Sequence, residues 1–319
     1  MAARFCIAEV GLPLADESTS DEVIGERLEA LVALIAACWD EGQEVCRSSE
    51  LDVLDVVPGA PLFEFMYQAG RLDRVLQGAL QQTLNRCRCW DAGDDEAETP
   101  AEVRIDSVAV NAPSVGWAHA QAQRGRAIAC LQVGPSPDGP RIVEADGQST
   151  QLYFLSCAIE PPRRDFYRTI PELEDLSEQA YLDHAPLLFP DLFFKPGLDQ
   201  EFRRFAGGYQ AVRAEVTRHL ATLNDHFRRV FDTHRGQVDP IARELQAGYH
   251  VNMSGESPNT KGNAAAWKER KISIQGTELY CDLHLKLSPT ANRIHFHPGH
   301  PKVAGGKIIV GIFHEHLPT

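Results

Sequence analysis

Histidines are concentrated near the end of this 319-residue sequence, and basic residues are interspersed among them. Six of the 12 histidines fall between His284 and His316. A folded core can satisfy so many imidazoles only if they meet one another, a carboxylate, a metal ion or an anion. We therefore expect the functional residues to lie in the C-terminal segment.

Alternation of polar and apolar residues predicts an antiparallel meander in this segment. Four stretches, 271–274, 278–287, 293–297 and 307–313, have the composition of strands and are joined by short turns. Side chains alternate between the two faces of a strand, so one face would be polar. Its members would be Asp282, His284, Lys286, Arg293, His295 and His297.

One chemistry for this face needs no metal. Lys286 and Arg293 would hold a phosphate, while His284 or His295 acts as general acid or base. Glu256, from the loop before the sheet, would add a carboxylate. RNA is the expected substrate because its own 2′-hydroxyl supplies the nucleophile. Further substrate contacts are expected from Arg270, Lys268 and Ser254.

A divalent metal site is the other chemistry that the pattern supports. A His-x-His pair on a strand leaves both rings on one side, and imidazole and carboxylate groups are common metal ligands. The sequence lacks the HExxH and CxxC pairs that mark many zinc sites, so both chemistries remain open. The expected ligands are His295, His297, His300 and Asp282.

Composition limits the class of protein. The net charge of −14 argues against a nonspecific nucleic-acid coat protein, whereas residues 250–319 carry eight Lys and Arg against five Asp and Glu. A mildly basic end on an acidic body suits an anionic substrate such as RNA, DNA or a phosphate ester. There is no signal-peptide pattern and no apolar run of membrane-spanning length, so we expect a cytoplasmic protein without membrane contact. The eight cysteines are expected to be reduced and mostly buried.

The predicted fold is mixed α/β (α+β) with three regions. Residues 1–160 form a mixed α/β domain, 161–247 a helical region, and 248–319 the antiparallel sheet with the candidate site. An apolar stripe through 203–234 indicates a long helix that packs on a core or mediates homo-oligomer formation, with a kink at Gly207 and Gly208. Residues 1–160 contain no phosphate loop, dinucleotide fingerprint or nucleophile elbow.

Short motifs in the last region resemble two groups of proteins. The run from Ser254 to Ser257, Arg270, and the segments 284–287, 293–296 and 307–317 resemble uncharacterised bacterial proteins, some encoded near mobile or defence genes. Residues 285–313 resemble the terminal strands of RelE/ParE-type toxins, whose sheets carry an RNA-cleaving face. This resemblance implies that Lys286, Arg293, His295 and Arg270 act at a phosphate. The alternation around Lys286 is also similar to that of PD-(D/E)xK nucleases, although His284 replaces one carboxylate and Glu256 would have to substitute for it.

The sequence therefore predicts a nucleic-acid phosphodiesterase, RNase-like and metal-independent, of a bacterial stress or defence system. Two alternatives stay open. One is a non-catalytic module that binds a nucleotide, nucleic acid or protein, and the other is a His-ligated metal-dependent hydrolase. Ser254 or Ser257 as a covalent nucleophile is disfavoured because neither lies in a G-x-S-x-G context.

Overall fold

The structure, a computed structural model, describes residues 4–12, 19–92, 99–100, 102–134, 137–156, 158 and 160–318. The chain forms two compact units, Met1–Glu174 and Asp175–Thr319. The predicted mixed α/β class is confirmed, with antiparallel strands at the C-terminal end. The helical region expected at 161–247 is divided between the units, since its first helix belongs to the first unit and the others share the second with the sheet.

The first unit is built on an eight-stranded sheet with the order β5-β2-β1-β8-β10-β9-β6-β7. The strands from β5 to β10 in this order are parallel, and those from β10 to β7 are antiparallel. Its strands are β1 Phe5–Ile7, β2 Val45–Arg47, β3 Asp55–Val57, β4 Ala60–Pro61, β5 Arg88–Cys89, β6 Val103–Ile105, β7 Val108–Val110, β8 Ala129–Leu131, β9 Gly139–Ala145 and β10 Gln148–Leu155, of which β3 and β4 form a separate hairpin. Its helices are α1 Asp21–Asp40, α2 Leu62–Tyr67, α3 Arg74–Arg86, α4 Pro113–Gln123 and α5 Glu160–Leu173.

Local sequence explains these elements well. Helix α1 begins after Ser20, whose hydroxyl accepts a hydrogen bond from the Val23 amide as an N-cap. Its apolar residues at three- and four-residue spacing are buried. The stretch 103–110 forms the hairpin β6–β7, because Asp106 and Ser107 turn the chain with positive φ angles.

The second unit combines helices with a five-stranded sheet of order β11-β17-β16-β15-β12 and a separate hairpin, β13–β14. Its helices are α6 Glu178–Leu188, α7 Gly208–Thr233, α8 Val238–Tyr249, α9 Pro258–Gly262 and α10 Ala264–Lys268. Its strands are β11 Leu192–Phe194, β12 Asn252–Gly255, β13 Lys271–Ile274, β14 Thr277–Tyr280, β15 Leu283–Lys286, β16 Arg293–His297 and β17 Ile308–His314.

The predicted meander is confirmed for β15, β16 and β17 and for the hairpin of β13 and β14, but these two groups of strands belong to separate sheets. The expected strand 278–287 is broken after Tyr280, so that β14 and β15 belong to different sheets. Two strands from outside the predicted meander complete the sheet, because β11 pairs in parallel with β17 and β12 pairs with β15. The sheet therefore depends on pairings between residues far apart in sequence, which local patterns do not encode.

Helix α7 buries the apolar stripe that the sequence showed. Its Phe227 ring meets Phe296 of β16 edge to face, with centroids 5.1 Å apart. The expected kink is a helix start instead, since Gly207 adopts a left-handed φ of 82° immediately before α7. Val216, Leu220 and Val230 are buried within the chain itself, so the stripe is used for internal packing.

The other side of the sheet is covered in part by the β13–β14 hairpin. Residues from both form a small apolar cluster: Ile272, Ile274, Leu279, Cys281, Val303, Ile309, Ile312 and Leu317. Gly311 is an extra residue on β17 at the point where the register with β16 shifts. A Cβ atom there would lie 2.3 Å from the Cys281 sulfur, so glycine is needed for this close approach.

The cysteine thiols of the described residues agree with the sequence prediction. The seven cysteines within the described residues are free thiols, and all but Cys89 are buried. The eighth, Cys157, lies outside the described residues. Among the described residues no helix has both the length and the apolar character needed to cross a membrane.

Candidate functional site

The register of β15 and β16 places two histidines side by side. His284 pairs directly with His295 across the two strands, and their ring centroids are 5.0 Å apart. On the other flank of β15, His284 pairs with Ser254 of β12. Three neighbouring strands of the sheet, β12, β15 and β16, therefore align one hydroxyl and two imidazoles in a row.

Glu256 completes this row from the loop that follows β12. Its backbone amide donates to the Asp282 carbonyl at 2.9 Å, which fixes the loop against the start of β15. The carboxylate oxygen Oε1 then lies 3.5 Å from His284 Nδ1 and 3.6 Å from His295 Nδ1. One carboxylate oxygen thus faces both imidazoles.

Arg270 holds Glu256 in this position. Its Nε donates to Oε1 at 3.0 Å and its Nη2 to Oε2 at 3.3 Å. Its Nη1 donates to the carbonyls of Ala266 and Pro318. The side chains of Arg270 and Glu256 are only 2% and 5% exposed, so a buried ion pair forms the floor of the site.

Burial and neighbouring charges set the protonation of the two innermost groups. Burial opposes the ionisation of Glu256, but the contacts with His284 and Arg270 outweigh it and lower the pKa of Glu256 to about 2. Burial, assisted by His284, lowers the pKa of His295 to about 3. Near neutral pH, His295 is therefore neutral and Glu256 ionised. A histidine with so low a pKa is a poor general acid at that pH.

The spacing of these groups suits a bound metal ion better than hydrogen bonding. Distances of 3.5 and 3.6 Å between the carboxylate oxygen and the imidazole nitrogens are too long for ordinary N–H···O bonds. Zinc bonds of about 2.0–2.2 Å place tetrahedral ligand atoms about 3.3–3.6 Å apart. The ligand atoms of Glu256, His284 and His295 all lie within 4.8 Å of one another. Within the described part of the chain, this is the one group of three or more such residues.

Buried ring nitrogens without hydrogen-bond partners also favour a bound metal ion. His295 is 2% exposed, and neither of its ring nitrogens has a hydrogen-bond partner among the protein groups. The Nδ1 atom of His284 is likewise buried without one. A buried polar atom without a partner costs about 1–3 kcal/mol, and a cation at this point would satisfy the Nδ1 atoms of both imidazoles. Their residue types, two histidines and one carboxylate, form a common metal-binding set.

The outer nitrogen of His284 is fixed by Ser254. The Ser254 hydroxyl and His284 Nε2 are 2.9 Å apart. A hydrogen bond at the second nitrogen orients the ring and selects its tautomer, which is how metal-binding histidines are commonly held. The same contact would also suit a serine nucleophile and its base.

Of the two residues predicted to hold a phosphate, Arg293 has its side chain engaged by a turn. Arg293 is 6% exposed, and its guanidinium donates to four carbonyls of the adjoining turn, those of Ser288, Pro289, Ala291 and Asn292. It stabilises the β15–β16 connection. Lys286 pairs with Arg293 in the register and is half-buried. Its backbone carbonyl is 3.1 Å from His219 Nε2.

Three of the four predicted metal ligands are not part of the group. The Nδ1 atom of His297 accepts the Gly299 amide, and that of His300 accepts the Lys302 amide, so local turns occupy these nitrogens. Asp282 forms an ion pair with Lys261 at 2.9 Å. Among the predicted ligands only His295 belongs to the group, and Glu256 and His284, predicted as catalytic residues, take the other positions. Lys268, predicted as a substrate contact, is exposed at the end of α10.

Comparisons with known proteins provide no further identification. No protein-family model matches the chain, and neither the curated proteins nor the solved structures gave a match. The functional argument therefore rests on the site itself.

Proposed function

We propose that the protein is a metal-dependent hydrolase, with Glu256, His284 and His295 as the ligands of one divalent transition-metal ion. One observation carries this proposal: both imidazoles face the same carboxylate oxygen at ligand spacing, 3.5 and 3.6 Å, in a buried site. Three protein ligands leave a coordination position for water or substrate, which is the arrangement of catalytic rather than structural zinc sites. A bound ion of this type supplies an activated water and polarises the scissile group.

Nucleic-acid phosphodiesters are the proposed substrates, RNA before DNA. The segment 250–319 carries more basic than acidic residues, in contrast to the whole chain, and Lys261 and Lys268 are exposed on the short helices that follow Glu256. Such cations attract a phosphate backbone. We place this activity in the cytoplasm, in a bacterial stress or defence setting.

The experiment compares metal-stripped and reconstituted protein on labelled single-stranded RNA and DNA. We expect cleavage with zinc or manganese, none after chelation, and none with His295→Ala at any metal concentration. His300→Ala is the matched control, because His300 is a predicted ligand that lies outside the metal group. Cleavage that survives chelation would overturn the metal mechanism. Binding without cleavage under every metal would favour a non-catalytic binding module.

A second candidate is a serine hydrolase, favoured by the 2.9 Å contact between Ser254 Oγ and His284 Nε2. With Glu256 behind Nδ1, these residues have the order nucleophile, base and orienting carboxylate. The two mechanisms respond differently to Ser254→Ala. A nucleophile mechanism loses turnover and labelling by a serine-directed phosphonate, whereas the metal mechanism keeps metal-dependent turnover and loses only part of the metal affinity.

A further inference from the structure

An aromatic pair lies on the layer of short elements that carries the site. Trp267 of α10 and Tyr280 of β14 stack with centroids 4.6 Å apart and ring planes 7° from parallel. Both side chains are half-buried and neither belongs to the apolar cluster beneath the hairpin. Each ring is therefore partly accessible to solvent.

The pair is connected to the candidate metal ligands through short covalent and hydrogen-bonded links. Ala266, beside Trp267, accepts a hydrogen bond from Arg270 at 2.8 Å, and Arg270 holds Glu256. Tyr280 is two residues before Asp282, whose carbonyl accepts the Glu256 amide. The rings and the catalytic groups are thus held by the same residues.

Two exposed lysines adjoin this pair. Lys261 Nζ lies over the Trp267 ring at 5.5 Å from its centroid, and Asp282 holds it there at 2.9 Å. Lys268 follows Trp267 directly and is exposed. Parallel rings next to exposed cations suit a single-stranded nucleic acid, since its bases stack on aromatic rings and its phosphates pair with cations.

We infer that Trp267 and Tyr280 form a base-stacking surface that selects single-stranded nucleic acid, with Lys261 and Lys268 contacting the adjoining phosphates. The inference rests on the proposed nuclease function, for which it names the substrate form. Bases in a duplex are already stacked on their neighbours and cannot open onto the rings without loss of pairing. Discrimination between single and double strands therefore comes from the aromatic pair, while the lysines attract both.

Binding of fluorescently labelled oligonucleotides to metal-stripped protein tests this inference without turnover. The probes are one RNA, the DNA of the same sequence and the matching DNA duplex, measured by anisotropy at fixed salt. Base stacking on an aromatic residue is worth about 1–3 kcal/mol, so we expect Trp267→Ala to weaken single-strand binding by roughly 5- to 150-fold. Trp267→Phe should restore most of the affinity, and the duplex should bind weakly to all variants. The RNA and DNA arms report which single strand is preferred.

Phe63→Ala is the matched control, because Phe63 and Tyr67 form another exposed aromatic pair, with centroids 4.9 Å apart, in the other unit. Its binding should equal that of the unmodified protein. Unchanged affinity of Trp267→Ala, or a duplex that binds as tightly as the single strand, would overturn the inference. Failure of the proposed function looks different: Trp267-dependent binding would persist in a protein that cleaves nothing with any metal. Thermal unfolding and circular dichroism of Trp267→Ala exclude misfolding as the cause of weak binding.

Discussion

Arg270 donates to both carboxylate oxygens of Glu256 from a position where neither side chain is more than 5% exposed. This contact fixes the oxygen that both imidazoles face. It leaves Glu256 ionised and turned toward His284 and His295, which is the state a metal ligand requires. Substitutions in the Arg270–Glu256 ion pair therefore test whether Glu256, His284 and His295 form a metal site.

Replacing Arg270 should lower the affinity for the metal ion, because Arg270 holds the proposed ligand Glu256 in position. We expect Arg270→Lys to lower zinc affinity about 10- to 100-fold, because a lysine cannot hold both carboxylate oxygens. Competition with a chromogenic chelator measures this. Arg213→Lys, which alters the exposed pair with Asp175 in the same unit, should leave the affinity unchanged. Equal affinities for both variants would contradict a positioning role for Arg270.

The Glu256 carboxylate should stabilise the metal-free protein in a pH-dependent way. Its pKa is lowered to about 2 in the folded protein, so its contribution is complete above its ordinary pKa and is lost as the pH falls toward 2. The difference in unfolding free energy between the unmodified protein and Glu256→Gln should be constant above about pH 5 and shrink below it. Urea unfolding across this range measures the difference. In an Arg270→Met background the part of the pH dependence that comes from Arg270 should disappear, and a pH dependence equal to that of the unmodified protein would contradict the contribution of the ion pair.

Arg293 should matter for stability and not for metal binding. Its guanidinium donates to four turn carbonyls, so Arg293→Met leaves these acceptors without their donor and should destabilise the second unit by about 1–3 kcal/mol. Zinc affinity should stay within twofold of the unmodified protein. A large loss of zinc affinity with an unchanged free energy of unfolding would instead show that Arg293 belongs to the functional site.

Substitution of Gly311 tests the close packing of β17 against Cys281. A Cβ atom at this position would lie 2.3 Å from the Cys281 sulfur, so we expect Gly311→Ala to destabilise the protein by about 1–3 kcal/mol. Adding Cys281→Ala should recover part of this loss. Gly248→Ala is the control, because a Cβ there would meet no atom within 4 Å. Chemical unfolding of the unmodified protein, the Gly311→Ala and Cys281→Ala single variants, the double variant and Gly248→Ala completes the comparison, and additive losses would contradict the contact between positions 311 and 281.

Local sequence patterns predicted the helices and strands more successfully than the pairing of the strands. Helix α1 and the strands β15 to β17 follow from apolar spacing and turn residues, and the sequence placed His284, His295 and Glu256 among the candidates. It could not show that β12 joins β15, because that pairing brings together residues about thirty positions apart. Nor could it show that His297 and His300 satisfy local turns, since their imidazoles look equivalent to that of His295 in the sequence. Glu256 was a candidate because it lies in a loop of small residues. Arg270 was predicted only as a substrate contact, and the sequence did not indicate its ion pair with Glu256.

The most direct test of the metal site is the metal content of the untagged protein, measured per chain by inductively coupled plasma mass spectrometry after purification without chelators. The proposed site requires close to one zinc, manganese or iron ion per chain in the unmodified protein and in Asp282→Asn. The ion should be absent from His284→Ala, His295→Ala and Glu256→Ala. Metal-free unmodified protein that also fails to take up zinc, or one ion per chain in all five proteins, would contradict this assignment.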